Sequence, residues 1–204
     1  VVAAARIKIC GLSRAEDIMY ANVCLPDYAG FVFAPSKRRI GIERAAELRR
    51  LLDPGIECVG VFVNENVHKV AEVFKAGIID IVQLHGDEDA EYIRTLRSMA
   101  DAPVIKAVRV GEELVLPDSE PDYFMFDAFS EDLRGGGGKT FRWDAVKGYP
   151  RDYFLAGGIN CGNVEAAIRM LDPFCVDVSS GVETDGKKDL DKMSEIVRRV
   201  RGVK

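Results

Sequence analysis

Histidine is scarce in this chain, with 2 in 204 residues, and the 5 cysteines (Cys10, Cys24, Cys58, Cys161, Cys175) include no closely spaced pair. No metal site is therefore expected, since zinc sites draw on Cys and His ligands grouped at short spacings. An odd, dispersed set of thiols also argues against a disulfide framework and for a reducing compartment. An excess of one charge is missing too: 28 basic and 33 acidic residues leave a formal net charge of −5, which offers no electrostatic footprint to nucleic acid or an anionic membrane. No apolar run approaches the roughly 20 residues of a membrane span, and the first residues lack the long apolar region of a signal peptide. The expectation is a cytoplasmic protein with neither nucleic-acid nor membrane partners, in which any bound anion is met locally.

What the chain does contain is one unit repeated. Short apolar runs recur at Arg6 to Cys10, Ala29 to Phe33, Cys58 to Val63, Ile79 to Leu84, Val104 to Val108, Tyr123 to Phe126, Tyr153 to Ala156 and Cys175 to Val178. Their near-continuous apolar character suits strands of a parallel sheet covered by helices. Amphipathic stretches lie between them, at Ile42 to Leu52, Val67 to Ala76, Ala90 to Met99, Val164 to Leu171 and Leu190 to Val200. In the first, Ala45, Leu48 and Leu52 share a stripe opposite arginines and glutamates. The fifth connection, Gly111 to Asp122, holds two prolines and little periodicity, so its helix is expected to be short or degenerate. The sixth is also irregular. Eight alternating units favour an α/β fold closed as a (β/α)8 TIM barrel, where an open doubly wound sheet would more often have five or six strands. One domain over residues 1–204 is expected, shorter than the roughly 250 residues typical of such barrels and so with trimmed loops.

In this fold the strand C-termini and the loops after them build the site. Polar residues at those places are Cys10, Ser36 to Arg39, Asn64, His85, Arg109, Asp127, Gly157-Gly158, and Asp177 with Ser179-Ser180-Gly181. Cys10 alone reads as one more buried cysteine; at a barrel mouth near cations, its thiol could have a lowered pKa and act as a base. Asp127 suits a turn or helix cap as well as a general acid raised by its aromatic neighbours. Asp177 is either a structural acceptor or a holder of a substrate hydroxyl, and His85 is either a satisfied structural residue or an orienting contact to substrate. The other histidine, His68, reads as helix surface. Ser36-Lys37-Arg38-Arg39 is by default a solvated loop, though Arg38 or Arg39 could clamp a carboxylate through two parallel hydrogen bonds. The Gly157-Gly158 and Ser179-Ser180-Gly181 turns follow strands seven and eight, where glycine-rich backbone and helix N-termini often bind phosphate. The segment Ala128 to Lys139 contains four consecutive glycines and is a candidate cover for the site.

Several strings resemble the phosphoribosylanthranilate isomerase family in order and spacing along nearly the whole chain. They are Lys8-Ile9-Cys10-Gly11, Gly30-Phe31-Val32-Phe33 with Ser36-Lys37-Arg38, Val59-Gly60-Val61-Phe62-Val63-Asn64, Val82-Gln83-Leu84-His85-Gly86, Val104-Ile105-Lys106-Ala107, Phe126-Asp127, Gly137-Gly138-Lys139-Thr140-Phe141, Leu155-Ala156-Gly157-Gly158 and Val176 to Glu183. The resemblance implies an Amadori rearrangement of N-(5′-phosphoribosyl)anthranilate to 1-(o-carboxyphenylamino)-1-deoxyribulose 5-phosphate in tryptophan biosynthesis, with no external redox cofactor. It further implies Asp127 as general acid, Cys10 as general base, Arg38 on the anthranilate carboxylate, and Gly157, Gly158, Ser180 and Gly181 around the phosphate. The expected partner is the small phosphorylated sugar amine; a homodimer, or association with other enzymes of the pathway, is left open. Two positions depart from the pattern. Arg142 stands before Trp143 where the family usually has Asp, and Asn160-Cys161-Gly162-Asn163 lacks the proline often found after the double glycine.

Other readings remain. A pentose-phosphate epimerase barrel would need paired acids and metal-binding histidines, and an indole-glycerol-phosphate synthase would need lysine and glutamate at strand ends. A non-catalytic sugar-phosphate-binding protein would have no need to keep both Cys10 and Asp127.

Overall fold

The computed structural model describes residues 5–111, 113–127 and 143–203, with the side chain of residue 144 left aside. Eight parallel strands close into a barrel in chain order. They are β1 (Arg6–Cys10), β2 (Tyr28–Val32), β3 (Glu57–Phe62), β4 (Ile81–Leu84), β5 (Val104–Arg109), β6 (Tyr123–Asp127), β7 (Tyr153–Ala156) and β8 (Cys175–Val178). Closure is made by β1 on β8, with Lys8 opposite Asp177 and Ile9 opposite Val178. The helices are α1 (Ala15–Cys24), α2 (Ile42–Leu51), α3 (Val67–Lys75), α4 (Ala90–Met99), α5 (Val164–Leu171) and α6 (Leu190–Gly202). A two-stranded hairpin, β9 (Glu183–Thr184) with β10 (Lys187–Lys188), follows β8. Among the described residues no helix is long and apolar enough to cross a membrane.

Strand alternation divides the core in two. Residues facing inward, Tyr28, Val59, Ile81, Ile105, Met125, Phe154 and Cys175, fill the lower barrel as one cluster. Those facing outward meet the helices in a larger cluster that includes Ile7, Ile9, Phe31, Leu48, Phe126, Leu155, Val176 and Ile196. Helix starts are fixed by side-chain caps: Asn66 accepts from the His68 backbone N–H, Asp89 from Tyr92 and Asp189 from Lys192. Such caps typically contribute about 1 kcal/mol each.

The barrel expected from the sequence is present, with strand ends shifted by up to two residues. The sequence reading missed α1, and the reason is visible. Its buried stripe of Asp17, Ile18, Ala21 and Cys24 contains an aspartate, while apolar Met19 and Val23 face solvent, so its amphipathic pattern is blurred. Asp17 is there because its carboxylate accepts from the Ser13 and Arg14 backbone N–H groups and from the Arg14 guanidinium. Among the described residues no helix joins β5 to β6, and the sixth connection carries only a 3₁₀ turn at Trp143–Ala145. The candidate cover Ala128 to Lys139 and the Thr140 to Arg142 departure lie outside the described residues.

Candidate active site

The barrel's C-terminal mouth opens into a pocket of about 290 Å³ lined by Cys10, Ser36, Arg38, Gln83, His85 and Asp127 on one part of its wall, and by Gly157, Gly158, Asp177, Ser179 and Ser180 on another. Most of the polar residues singled out in the sequence thus meet in one place. Arg39, Asn64 and Arg109 do not: Arg39 lines a hollow against Phe33 and Phe62, while Asn64 and Arg109 border another. Gly181 is also absent from the pocket lining. A Cβ there would collide with the Ile159 carbonyl, so Gly181 lets the turn after β8 press on the turn after β7. A larger hollow of about 520 Å³ beside β4 and β5 is lined by Asp87, Glu88, Asp89 and Asp118. Its lysine, Lys106, is already engaged by Glu88 and the Gly86 carbonyl, so that acidic surface is hostile to phosphate or carboxylate.

Cys10 ends β1 with its side chain turned inward. Gly30 on β2 makes the room, since a Cβ there would lie 2.9 Å from the Cys10 sulfur. Gly11, at φ +83°, turns the chain where a side chain would collide with the stem of Arg38. Two positions below Cys10's mouth-side end of the strand, Lys8 is fully buried and donates to Asp177 Oδ1 at 2.9 Å. Burial works against the Lys8 charge, but the Asp177 carboxylate and Cys10 hold its pKa above the ordinary lysine value. Removing one partner of such a pair typically costs roughly 3–5 kcal/mol. Asp177 therefore has a structural duty, yet its carboxylate still borders the pocket. The Cys10 thiol pKa, which cations at a barrel mouth could lower, is raised by this surrounding. Burial raises it and outweighs Lys8 and Lys188, which pull it down, while Asp177 adds to the rise.

Arg38 reaches the pocket from the loop between β2 and α2, and one edge of its guanidinium is already taken. Nε donates to Glu183 Oε1 at 2.7 Å and Nη2 to Glu183 Oε2 at 2.8 Å. Glu183 stands opposite Lys188 across the β9–β10 hairpin, whose two-residue turn is Asp185-Gly186, both at positive φ. Asp-Gly is a favoured pair for such a turn because both positions need the left-handed region. Lys188 donates to Glu183 Oε1 at 2.8 Å and to the Ser179 carbonyl at 2.9 Å. Burial would raise the Glu183 pKa, but hydrogen bonds from Arg38 and Lys188 bring it from 4.5 down to about 2. The folded value lies below the unfolded one, so this stabilisation is complete above about pH 4.5 and is lost as pH falls towards 2. Glu183→Gln is accordingly expected to flatten the pH dependence of thermal unfolding across that window. An unchanged slope in a folded variant would count against it.

The turn after β7 places Gly157 and Gly158 in succession at φ +97° and +67°, a path closed to most side chains. The missing proline is replaced by a network of asparagines. Asn160 and Asn163 each donate a side-chain N–H to the Gly158 carbonyl at 3.0 Å, and Asn163 Oδ1 accepts from the Asn160 backbone N–H. This shapes the approach to the N-terminus of α5. Ser179 and Ser180 complete the wall, with Ser179 Oγ donating to the Cys10 carbonyl at 3.2 Å. On the other side, His85 Nε2 lies 3.5 Å from Asp127 Oδ2. Lys8, Gln83, Glu183 and Lys188 were not given roles from sequence. Only Glu183 and Lys188 carried a local signal, the Thr184-Asp185-Gly186-Lys187 hairpin.

A (β/α)8 barrel whose mouth combines a carboxyl, a thiol, an arginine and paired glycine–serine turns defines a class of enzymes acting on small phosphorylated substrates. The family model described as N-(5'phosphoribosyl)anthranilate (PRA) isomerase matches residues 7–199. The N-(5'-phosphoribosyl)anthranilate isomerase of Endomicrobium trichonymphae is 46% identical over 198 residues, covering 97% of this chain and 99% of its own. The crystal structure of the Thermotoga maritima enzyme superposes with a TM-score of 0.83 at 36% identity, over 97% of this chain and 99% of that one. A structure of phosphoribosyl anthranilate isomerase in complex with reduced 1-(o-carboxyphenylamino)-1-deoxyribulose 5-phosphate gives a TM-score of 0.79 at 35% identity, with the same coverage. The chain belongs to the N-(5'-phosphoribosyl)anthranilate isomerase family, the isomerases of tryptophan biosynthesis.

Proposed function

We propose that the pocket at the barrel mouth performs this isomerisation with Asp127 as general acid and Cys10 as general base. The observation that carries the assignment is that both side chains border one pocket of about 290 Å³ from β1 and β6, which are not neighbours in the barrel. Asp127 protonates the furanose ring oxygen, and the bond from that oxygen to C1′ breaks to leave an open-chain iminium ion. The Cys10 thiolate removes the proton at C2′, and the electron pair moves into the C1′–C2′ bond, neutralising the iminium as an enolamine. Tautomerisation then carries the enol proton to C1′ and leaves a ketone at C2′. C1′ is reduced as C2′ is oxidised, so no external redox partner enters the balance.

Binding follows from the same wall. The phosphate is assigned to the turns holding Gly157, Gly158 and Ser180, where backbone N–H groups can approach its oxygens. Gly181 acts by letting those turns meet. Asp177 is assigned to a sugar hydroxyl, His85 to orienting the reacting groups beside Asp127, and Arg38 to the anthranilate carboxylate. The small ligand seen with the family member described above supports this reading. Its test is turnover: freshly made phosphoribosylanthranilate should lose its fluorescence on addition of the protein. Binding of ribose 5-phosphate without any such turnover would favour the non-catalytic alternative.

The raised Cys10 pKa has a measurable consequence. Only the thiolate reacts with an alkylating agent, so the Cys10 alkylation rate in the free protein should rise with pH and reach half its maximum above the usual thiol range near 8.5. Mass spectrometry of the Cys10 peptide follows it separately from the other four thiols. A half-maximum below that range would mean that Lys8 and Lys188 outweigh burial.

A further inference from the structure

Gln83 is buried on β4 at the pocket, 1% exposed, and the roles above leave it unused. Its amide nitrogen lies 2.9 Å from His85 Nδ1 and 3.3 Å from Met125 Sδ, whereas its buried carbonyl oxygen has no hydrogen-bond partner among the described residues. The two contacts fix which way round the amide lies. A thioether sulfur only accepts, so the nitrogen end beside Met125 makes a hydrogen bond that the reversed amide would lose. That same donor end faces His85, which makes Nδ1 an acceptor. A neutral imidazole that accepts at Nδ1 carries its proton on Nε2. Nε2 is the atom 3.5 Å from Asp127 Oδ2, close enough to shorten into a hydrogen bond by a small side-chain movement.

We propose that Gln83 is a positioning residue for the isomerisation, locking His85 in the Nε2–H tautomer so that a fixed donor, and not a lone pair, faces Asp127. The inference rests on Asp127 being the acid. A donor on Oδ2 leaves the transferable proton on Oδ1. As that proton moves to the ring oxygen, negative charge grows on the carboxyl, and the His85 N–H meets it more strongly than it meets the neutral acid. Such an interaction stabilises the transition state over the ground state. The opposite tautomer would aim a lone pair at Asp127 and draw its proton away from the substrate. The backbone supports the arrangement, since the His85 N–H is tied to the Phe62 carbonyl at 2.8 Å.

The chain's two histidines make the test direct. Exposed His68 is replaced by Gln, the protein is labelled with ¹⁵N-histidine, and the ring-nitrogen shifts then report His85 alone. At a pH where His85 is neutral, the expected signal is Nε2–H. Gln83→Leu, similar in size and apolar like its neighbour Met125, should give mixed tautomers and lower kcat roughly ten-fold, the effect of one hydrogen bond to a charged group, with little change in KM. Gln83→Glu should put a proton on Nδ1. An Nδ1–H signal in the otherwise unchanged protein, or a folded Gln83→Leu whose His85 stays wholly Nε2–H, overturns the proposal. So does an altered tautomer with unchanged kcat. Asp127→Asn, assayed alongside, separates the two readings: full turnover there overturns the acid assignment and with it the catalytic use of the tautomer, whereas a wrong tautomer overturns the Gln83 role alone.

Discussion

Cys10→Ala and Asp127→Asn are each expected to lower kcat by roughly 10²- to 10⁴-fold, the usual contribution of a general acid or base. The fold should survive both. Cys10 sits against Gly30 at the upper end of β1, above the packed layer of Tyr28, Val59 and Phe154, so removing its sulfur enlarges the pocket and leaves that layer intact. Asp127 ends β6 in register with Ala156, and the asparagine is isosteric but has no acidic proton to give. Because the two groups act on different protons, the double variant should be worse than either single one. Near-normal kcat/KM in Cys10→Ala would remove the thiol from the mechanism. A companion measurement locates it: a reduced product analogue should protect Cys10 from alkylation more than Cys161, which lies outside the pocket lining. Equal labelling of Cys10 with and without that ligand would put the thiol outside the binding site.

Much of this molecule was legible because barrels write their architecture locally. Each strand is a short apolar run, most helices are a stripe, and strand ends mark the mouth, so Cys10, His85, Asp127 and Asp177 group together from the sequence. The exceptions share one cause, a polar residue whose partner is distant in sequence. Asp17 broke the α1 pattern because it serves Ser13 and Arg14 from inside a buried face. Lys8 took no role from sequence because its partner Asp177 lies 169 residues on, joined only when β8 closes on β1. The same closure brings Asp177 close enough to add to the rise in the Cys10 pKa. Cations near the thiol are foreseeable from sequence, but their pull cannot be weighed there against burial, which acts in the opposite direction. Gln83 likewise took no role from sequence, because the contact of its amide nitrogen with Met125, 42 residues on, forms only in the closed barrel.

The second large effect is expected at Arg38, where geometry adds a condition that charge alone does not contain. Glu183 holds the Nε–Nη2 edge of the guanidinium, so a substrate carboxylate must use the remaining edge, through Nη1 and the outer N–H of Nη2. Arginine can serve two carboxylates at once because its donors form a rigid planar fork. Lysine has a single ammonium and would be drawn to Glu183, already paired with Lys188, leaving the substrate poorly held. Arg38→Lys should therefore lower kcat/KM, and Arg38→Met should lower it further, by about 1.5–3 kcal/mol for a hydrogen bond to a charged group. Arg39→Met should do much less, since Arg39 lines a separate hollow. Inorganic phosphate and ribose 5-phosphate provide the control. They lack the aromatic carboxylate and should bind at the turns after β7 and β8 almost equally well in all three variants. Loss of phosphate affinity in Arg38→Met would move this arginine to the phosphate subsite, and a larger effect at Arg39 would overturn the carboxylate assignment altogether.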